Sequence, residues 1–316
     1  MKFVSLITPK QKTMASWDDI LNEVKKAGGT HDIVRRKYLR GLASLTKRNT
    51  IAYYSGWLQK GDLMRAGVRG FEVNDGDKNG FMTAINKLDR SKGLDLILHT
   101  PGGETAATES LVDYLRTMFG NNMRAIVPQI AMSAGTMIAL ACKEIVMGKH
   151  SNLGPIDPQY GGLAAHGVIE EFERAKTEIQ RTPILAHVWQ PILAKYTPTL
   201  IGECEKAILW SKEMTKDWLK TGMFEGEADA ETKADRVIAE LGDHILTKSH
   251  ARHISMSRAQ ELGIKVVKLE DDPRLQDAVL SVHHSCIHTL TNTPAIKIIE
   301  NHKGIAFIQT IILKQA

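Results

Sequence analysis

Leu94-Asp95-Leu96-Ile97-Leu98-His99-Thr100-Pro101-Gly102-Gly103 is the stretch that decides the fold class. Its first five residues are nearly all apolar, which suits a parallel strand covered on both faces. Pro-Gly-Gly then forces a turn. From Thr105 to Phe119 the apolar residues Leu111, Leu115 and Phe119 recur every fourth position, one buried stripe of a helix. Arg124 to Val127 reads as the next strand. Ala131-Met132-Ser133-Ala134-Gly135 then opens a helix that runs to about Cys142, and Glu144 to Met147 reads as another strand. This strand–helix alternation predicts right-handed crossovers and a largely parallel sheet, an α/β fold.

Outward from this centre the pattern holds. Ile51 to Gly56 reads as a strand closed by glycine, and Phe81 to Leu88 as a helix. Residues 1–46 read as a charged helical extension, with Asp32-Ile33-Val34-Arg35-Arg36-Lys37 as a solvated face. Beyond Gly162 the chain is mostly helical: Val168 to Gln180, Pro191 to Tyr196 and Gly202 to Thr221. Gly222 to Ala234 reads as an acidic surface loop. Ser257 to Leu262 reads as a short helix capped by Gly263, with a strand at Ile264 to Val267. Ile305 to Ile308 alternates like a final strand. The expected division is an extension over 1–46, a main domain over 47–268, and a helix-and-strand extension over 269–316.

The bulk properties exclude several classes. The chain has 316 residues, 43% hydrophobic and 24% charged, an ordinary globular composition. A net charge of +5 with interleaved signs, and no basic tract with aromatics, argues against a nucleic-acid partner. Cys142, Cys204 and Cys286 are too few and too scattered for a disulfide framework, and suit a reducing compartment. Met1 to Asp19 holds only a short apolar patch with no cleavage site. No apolar run approaches the roughly 20 residues that span a bilayer. The expected location is the cytoplasm, with no integral membrane segment.

The two small-residue turns carry the chemistry. A serine hydroxyl needs a base to take its proton and donors aimed at the developing oxyanion. Ser133, flanked by Ala131, Ala134 and Gly135, can sit on a tight strand-to-helix turn with its hydroxyl approachable. The Ala134 N–H lies at a helix N-terminus, which favours negative charge. Gly102 and Gly103 lack a Cβ, so their N–H groups can approach a carbonyl closely. Against this, Ser133 taken alone reads first as a helix N-cap, and Gly102-Gly103 as an ordinary turn.

Together the two motifs resemble catalytic elements of Clp-type serine peptidases. Ile51 to Gly56, Asn79-Gly80-Phe81-Met82, Gly93 to Gly103 and above all Leu153-Gly154-Pro155-Ile156-Asp157-Pro158-Gln159 resemble the serine dehydrogenase proteinase family, over about Arg48 to Lys268. The resemblance implies a Clp/crotonase-like fold of repeated β-β-α turns with a helical C-terminal portion. It also implies an ATP-independent endopeptidase with a serine nucleophile, no required cofactor, a peptide or unfolded-protein substrate, and a homo-oligomer. On it, Ser133 is the nucleophile and Gly102, Gly103 and Ala134 form the oxyanion hole. Clp peptidases carry a histidine where this chain has Ser151 to Gln159, so the base lies elsewhere. Signal peptide peptidase A and the stomatin-partner proteases use a Ser-Lys dyad. Lys176, 43 residues after Ser133, is the expected base, with His166 as the alternative and His150 and His187 behind it. A buried lysine loses its proton readily, whereas Glu171, Glu173 and Glu178 around Lys176 also suit a solvated helix. Asp157 is expected to orient the base or the substrate backbone, or else to be a turn residue between prolines. Two rival readings keep the fold: a crotonase-like acyl-CoA enzyme, and a non-catalytic scaffold with a vestigial serine.

Other patterns carry less. Asp75-Gly76-Asp77-Lys78-Asn79-Gly80 imitates half a calcium loop, but its twelfth position is Asn86 where a bidentate Glu is needed. It reads as a turn capping the Phe81 helix. His283, His284, Cys286 and His288 read as a partly exposed helix rather than a metal site, and His250 and His253 as a loop. Cys142 reads as a core residue. No metal is expected.

Overall fold

Alternate residues along the central strands feed two separate cores, which is what a sheet covered on both faces requires. The computed structural model of the chain describes residues 16–160, 162–242 and 251–311. Its strands are β1 (Asn49–Ser55), β2 (Leu94–His99), β3 (Met123–Val127), β4 (Ile130–Ala131), β5 (Glu144–Met147), β6 (Asn152–Leu153), β7 (Gln159–Tyr160), β8 (Leu163–Ala164), β9 (Ile254–Ser255), β10 (Val266–Lys268), β11 (Ala295–Asn301) and β12 (Ala306–Thr310). Its α-helices are α1 (Trp17–Lys26), α2 (His31–Thr46), α3 (Gly61–Arg65), α4 (Gly76–Ile85), α5 (Thr105–Phe119), α6 (Ala134–Leu140), α7 (Ala165–Arg181), α8 (Ala186–Leu193), α9 (Leu200–Trp218), α10 (Ala230–Gly242), α11 (Met256–Glu261) and α12 (Pro273–Asn292).

Seven strands form the main sheet in the order β10-β5-β3-β2-β1-β11-β12. The first five are mutually parallel; β11 runs antiparallel to β1, and β12 antiparallel to β11. On one face Ile51, Tyr53, Leu96, Leu98, Ala125 and Val127 meet Phe81 of α4, Leu111 and Leu115 of α5 and Met137 of α6. On the other, Ala52, Tyr54, Ile97, Ile126 and Val146 meet Leu39 and Leu42 of α2 and Val279 and Val282 of α12.

A second, three-stranded sheet, β4-β6-β9, lies against the first. Two main strands continue into this layer: β3 leads to β4 and then α6, and β5 leads to β6. After β2, Thr100 takes the corresponding place through a parallel bridge to Ala131. This is the repeated β-β-α turn, and it brings the two small-residue motifs side by side. α7 and α9 form a helical arm with its own cluster, Ala165, Val168, Leu200 and Cys204. Met214 and Trp218 root the end of α9 in the main core.

Several elements differ from expectation. The Phe81 helix begins at Gly76 with Asp75 at its cap position, so Gly76 to Gly80 is helix rather than a capping turn, and Asp77 is wholly buried. Arg35 is not on a solvated face: it is wholly buried against Glu300. α12 is likewise largely buried, with Cys286 and His288 in the interior. β11 escaped the sequence reading because Lys297 and Glu300 interrupt its apolar run, and both side chains are nevertheless wholly buried. The Gly222 to Ala234 segment is helical from Ala230 onward. Pro191 sits inside α8 rather than at a helix start.

Candidate active site

Ser133 stands at the junction of β4 and α6 with φ 49° and ψ −115°. A positive φ is uncommon outside glycine and costs of order 1–3 kcal/mol, so it persists only where the surroundings impose it. They do so here through a short, fully bonded corner. The Met132 N–H donates to the Thr100 carbonyl at 3.0 Å, and the Gly135 N–H donates to the Met132 carbonyl at 2.7 Å. Inside the corner the Thr136 hydroxyl donates to the Ala131 carbonyl at 2.8 Å and accepts the Gly154 N–H at 2.9 Å. Ser133 therefore occupies the cap position of α6 without capping it: its side chain makes no capping hydrogen bond. The hydroxyl stays available for other chemistry.

The Pro-Gly-Gly turn closes on this corner. Gly102 has φ 101°, and a Cβ there would lie 2.6 Å from the Ser133 Cβ and 3.2 Å from the Ala134 nitrogen. Only glycine fits. Gly103 is held from the opposite side by Val73. The Val73 N–H donates to the Gly102 carbonyl at 2.7 Å, and the Val73 carbonyl accepts the Glu104 N–H at 2.9 Å. The Gly102 N–H is committed to the Thr100 hydroxyl at 3.2 Å. The Gly103 and Ala134 N–H groups donate to no acceptor among the described residues. Ala134 opens α6, and Gly103 lies two residues before α5, so two helix N-termini add positive potential here.

Ser133 lines a cleft of about 370 Å³. Pro101, Gly102, Gly103 and Glu104 form one wall, and Ile156, Pro158 and Gln159 form another. Met64, Thr105, Met137 and Ser211 complete the apolar and hydroxyl lining, and Glu72 adds a second carboxylate to that of Glu104. No Lys, Arg or His is among the described lining residues. The Leu153 to Gln159 segment is pinned there by the Ile156 N–H donating to Leu241 and by the Ser211 hydroxyl donating to the Ile156 carbonyl.

The other expected residues fall into place around this cleft or away from it. Asp157 is wholly buried, between two lining residues. His166 is half-buried at the start of α7 and, like the other histidines, is not among the described cleft-lining residues. The neighbouring Ala165 N–H donates to the Pro158 carbonyl at 3.0 Å, which ties that helix end to the cleft wall. Lys176 does not meet the expectation of a desolvated base. Its side chain is 63% exposed and pairs with Glu173 at 3.4 Å. It stands ten residues beyond His166, about 15 Å along α7 at 1.5 Å per residue. His150 and His187 are exposed and outside the cleft lining. His253 is exposed beside Arg252 in a separate cleft, and His250 lies outside the described residues.

His99, the last residue of β2, is a near neighbour in sequence but faces away from Ser133. Its ring lies 4.5 Å from Trp57 and 5.3 Å from Tyr54, and meets His283 of α12 edge-on at 5.5 Å. Burial pushes its pKa down to about 3, so the imidazole is neutral. Asp77, the centre of the calcium-like segment, is engaged by Lys297 at 2.7 Å. Among the described residues no group of three or more His, Cys, Asp or Glu is arranged to hold a metal ion. Burial pushes the Cys142 thiol up to about 12, as suits a core residue. Val73 was missed by sequence reasoning, although Phe71-Glu72-Val73 does alternate like a short extended segment.

The geometry agrees with the comparisons. The family model described as ClpP-like SDH-type serine proteinase matches residues 31–274. An uncharacterized protein of Methanocaldococcus jannaschii is 29% identical over 190 residues, covering 60% of this chain and 57% of its own length. A second uncharacterized protein of the same organism is 31% identical over 195 residues, covering 60% and 59%. The chain thus spans 57% and 59% of the length of these curated relatives. With the family model running from α2 through the Ser133 corner to the start of α12, the chain belongs to the ClpP-like serine proteinases of SDH type.

Proposed function

We propose that this chain is an ATP-independent endopeptidase that hydrolyses peptide bonds through Ser133. The observation that carries the reading is the strained Ser133 corner, with an uncapping hydroxyl beside the uncommitted N–H groups of Gly103 and Ala134. The Ser133 Oγ attacks the peptide carbonyl carbon while its proton passes to a base. The negative oxygen of the tetrahedral intermediate accepts from Gly103 and Ala134. As the C–N bond breaks, the protonated base returns its proton to the leaving amine. Water then hydrolyses the acyl-enzyme by the same route in reverse.

We assign the base to His166 and not to Lys176. His166 belongs to the end of α7 that is tied to Pro158, whereas Lys176 is solvated and ion-paired. Asp157, one residue before Pro158, is the carboxylate assigned to orient that imidazole. Exposed Ile184, Val188, Leu209 and Trp210 around α8 and on α9 support a homo-oligomer formed through the helical arm. Three free, buried cysteines support a cytoplasmic protein.

Hydrolysis of a quenched-fluorescent unfolded protein tests the reading. Ser133→Ala should abolish turnover, His166→Ala should lower kcat by at least about 100-fold, and Lys176→Ala should leave it within about twofold of wild type. Full activity in Ser133→Ala would overturn the proposal. Loss in Lys176→Ala with retention in His166→Ala would restore the lysine.

A further inference from the structure

Three charged or polar side chains with no part in the chemistry above meet beneath the oxyanion turn. Lys297, on β11, is wholly buried, and so is Asp77 on α4. The Lys297 ammonium donates to the Asp77 Oδ1 at 2.7 Å and to the Glu72 carbonyl at 2.7 Å. The Asp77 Oδ2 accepts the Tyr53 hydroxyl at 2.7 Å and the Asn74 N–H at 3.1 Å. The two bonds to the main chain fall on Glu72 and Asn74, the residues on either side of Val73. Val73 in turn bonds to Gly102 and Glu104, the residues on either side of Gly103. Each layer grips the next at both flanks and leaves the middle residue fixed between them.

The contact is also tight. A Cβ on Gly103 would come within 2.2 Å of the Val73 carbonyl oxygen and 2.3 Å of its nitrogen. Gly103 therefore cannot move toward Val73, and the two rungs prevent it from moving away. A displacement of Val73 passes directly to the Gly103 N–H.

Burying an ion pair costs more desolvation than well-packed apolar side chains would, so stability alone does not account for one here. What the pair supplies is directed bonds of fixed length to two named points of one backbone segment. We propose that Lys297 and Asp77 are positioning residues for catalysis: through Glu72, Val73 and Asn74 they set the Gly103 N–H where the oxyanion forms. The C-terminal strand β11 is thereby part of the catalytic apparatus. This inference rests on the peptidase reading of Ser133 and Gly103.

Two folded variants separate positioning from stability. Lys297→Met with Asp77→Leu removes both charges together, so neither is left buried and unpaired. Tyr53→Phe keeps the pair and deletes one bond to Asp77. Each is assayed for melting temperature, for the rate of fluorophosphonate labelling at Ser133, and for kcat and KM. The double variant leaves the Tyr53 hydroxyl, the Asn74 N–H and the Glu72 carbonyl without these partners, so it should melt somewhat lower but stay folded, and lose tenfold or more in kcat and in labelling rate with KM unchanged. Tyr53→Phe should lose severalfold in the same two quantities. Wild-type kcat and labelling in both variants would overturn the proposal. If the double variant melts far lower and Tyr53→Phe keeps full kcat, the pair is structural only, and the proposal also fails. Absence of labelling in the wild type would instead remove the peptidase reading on which the inference rests.

Discussion

Gly103 has no room for a methyl group, and this bounds what the turn can tolerate. With the nearest Val73 atoms at 2.2 and 2.3 Å from an added Cβ, Gly103→Ala must break a rung or shift the turn. Loss of one oxyanion donor costs about 100- to 1,000-fold in kcat, and Gly103→Ala should fall in that range while binding peptide normally; steady-state kinetics would show it. His99 makes a different prediction. Above its ordinary pKa of 6.5 the ring is neutral both folded and unfolded. Between 6.5 and about 3 the unfolded chain takes up a proton that the folded chain refuses. Stability should therefore fall as pH falls through that window, by up to about 1.4 kcal/mol per pH unit. His283, also pushed down by burial and then by His99, adds to the same trend. Urea unfolding across the window should give a shallower acid limb for His99→Leu than for wild type; an identical limb would refute the assignment.

At the scale of elements, α2 is held to β11 by charge as well as by apolar contact. Glu300 accepts from buried Arg35 and from Arg36 at 2.7 Å, while Arg35 also donates to Thr289 of α12. Glu300→Ala would leave the Arg35 charge buried without its main partner. Such a loss costs about 3–5 kcal/mol, readable as a lower unfolding midpoint with the same denaturant slope. The same strand shows where sequence reasoning stops. β2, α5, β3 and β5 were legible because burial on both faces or on one stripe leaves a periodic apolar pattern. The corner at Ser133 and the turn at Gly102 and Gly103 were legible as backbone features, because tight corners demand small residues. β11 was not, because its two buried charges are each satisfied by residues more than 200 positions away in the chain. Nor was the exposure of Lys176: a helical period cannot tell a lysine facing a cleft from one facing water.

Across the whole molecule, the sheet, the β4-β6-β9 layer and the helical arm converge on one cleft whose described lining residues include Glu72 and Glu104 but no cation. Neither carboxylate is ion-paired among the described residues. Peptides bearing Lys or Arg beside the scissile bond should be cleaved faster than their Glu counterparts, with the difference shrinking as salt is raised. No helix among the described residues is long and apolar enough to cross a membrane. The exposed apolar side chains around α8 and on α9 predict self-association, which light scattering of wild type beside Val188→Asp with Leu209→Asp would measure. The proposed role of Ser133 as an activated nucleophile facing a preformed oxyanion hole is tested by reaction of the native protein with a fluorophosphonate, followed by peptide mass spectrometry. Stoichiometric modification of Ser133, absent in Ser133→Ala and slowed in Gly103→Ala, is the predicted result. A folded wild-type protein that stays unmodified at Ser133 would contradict it.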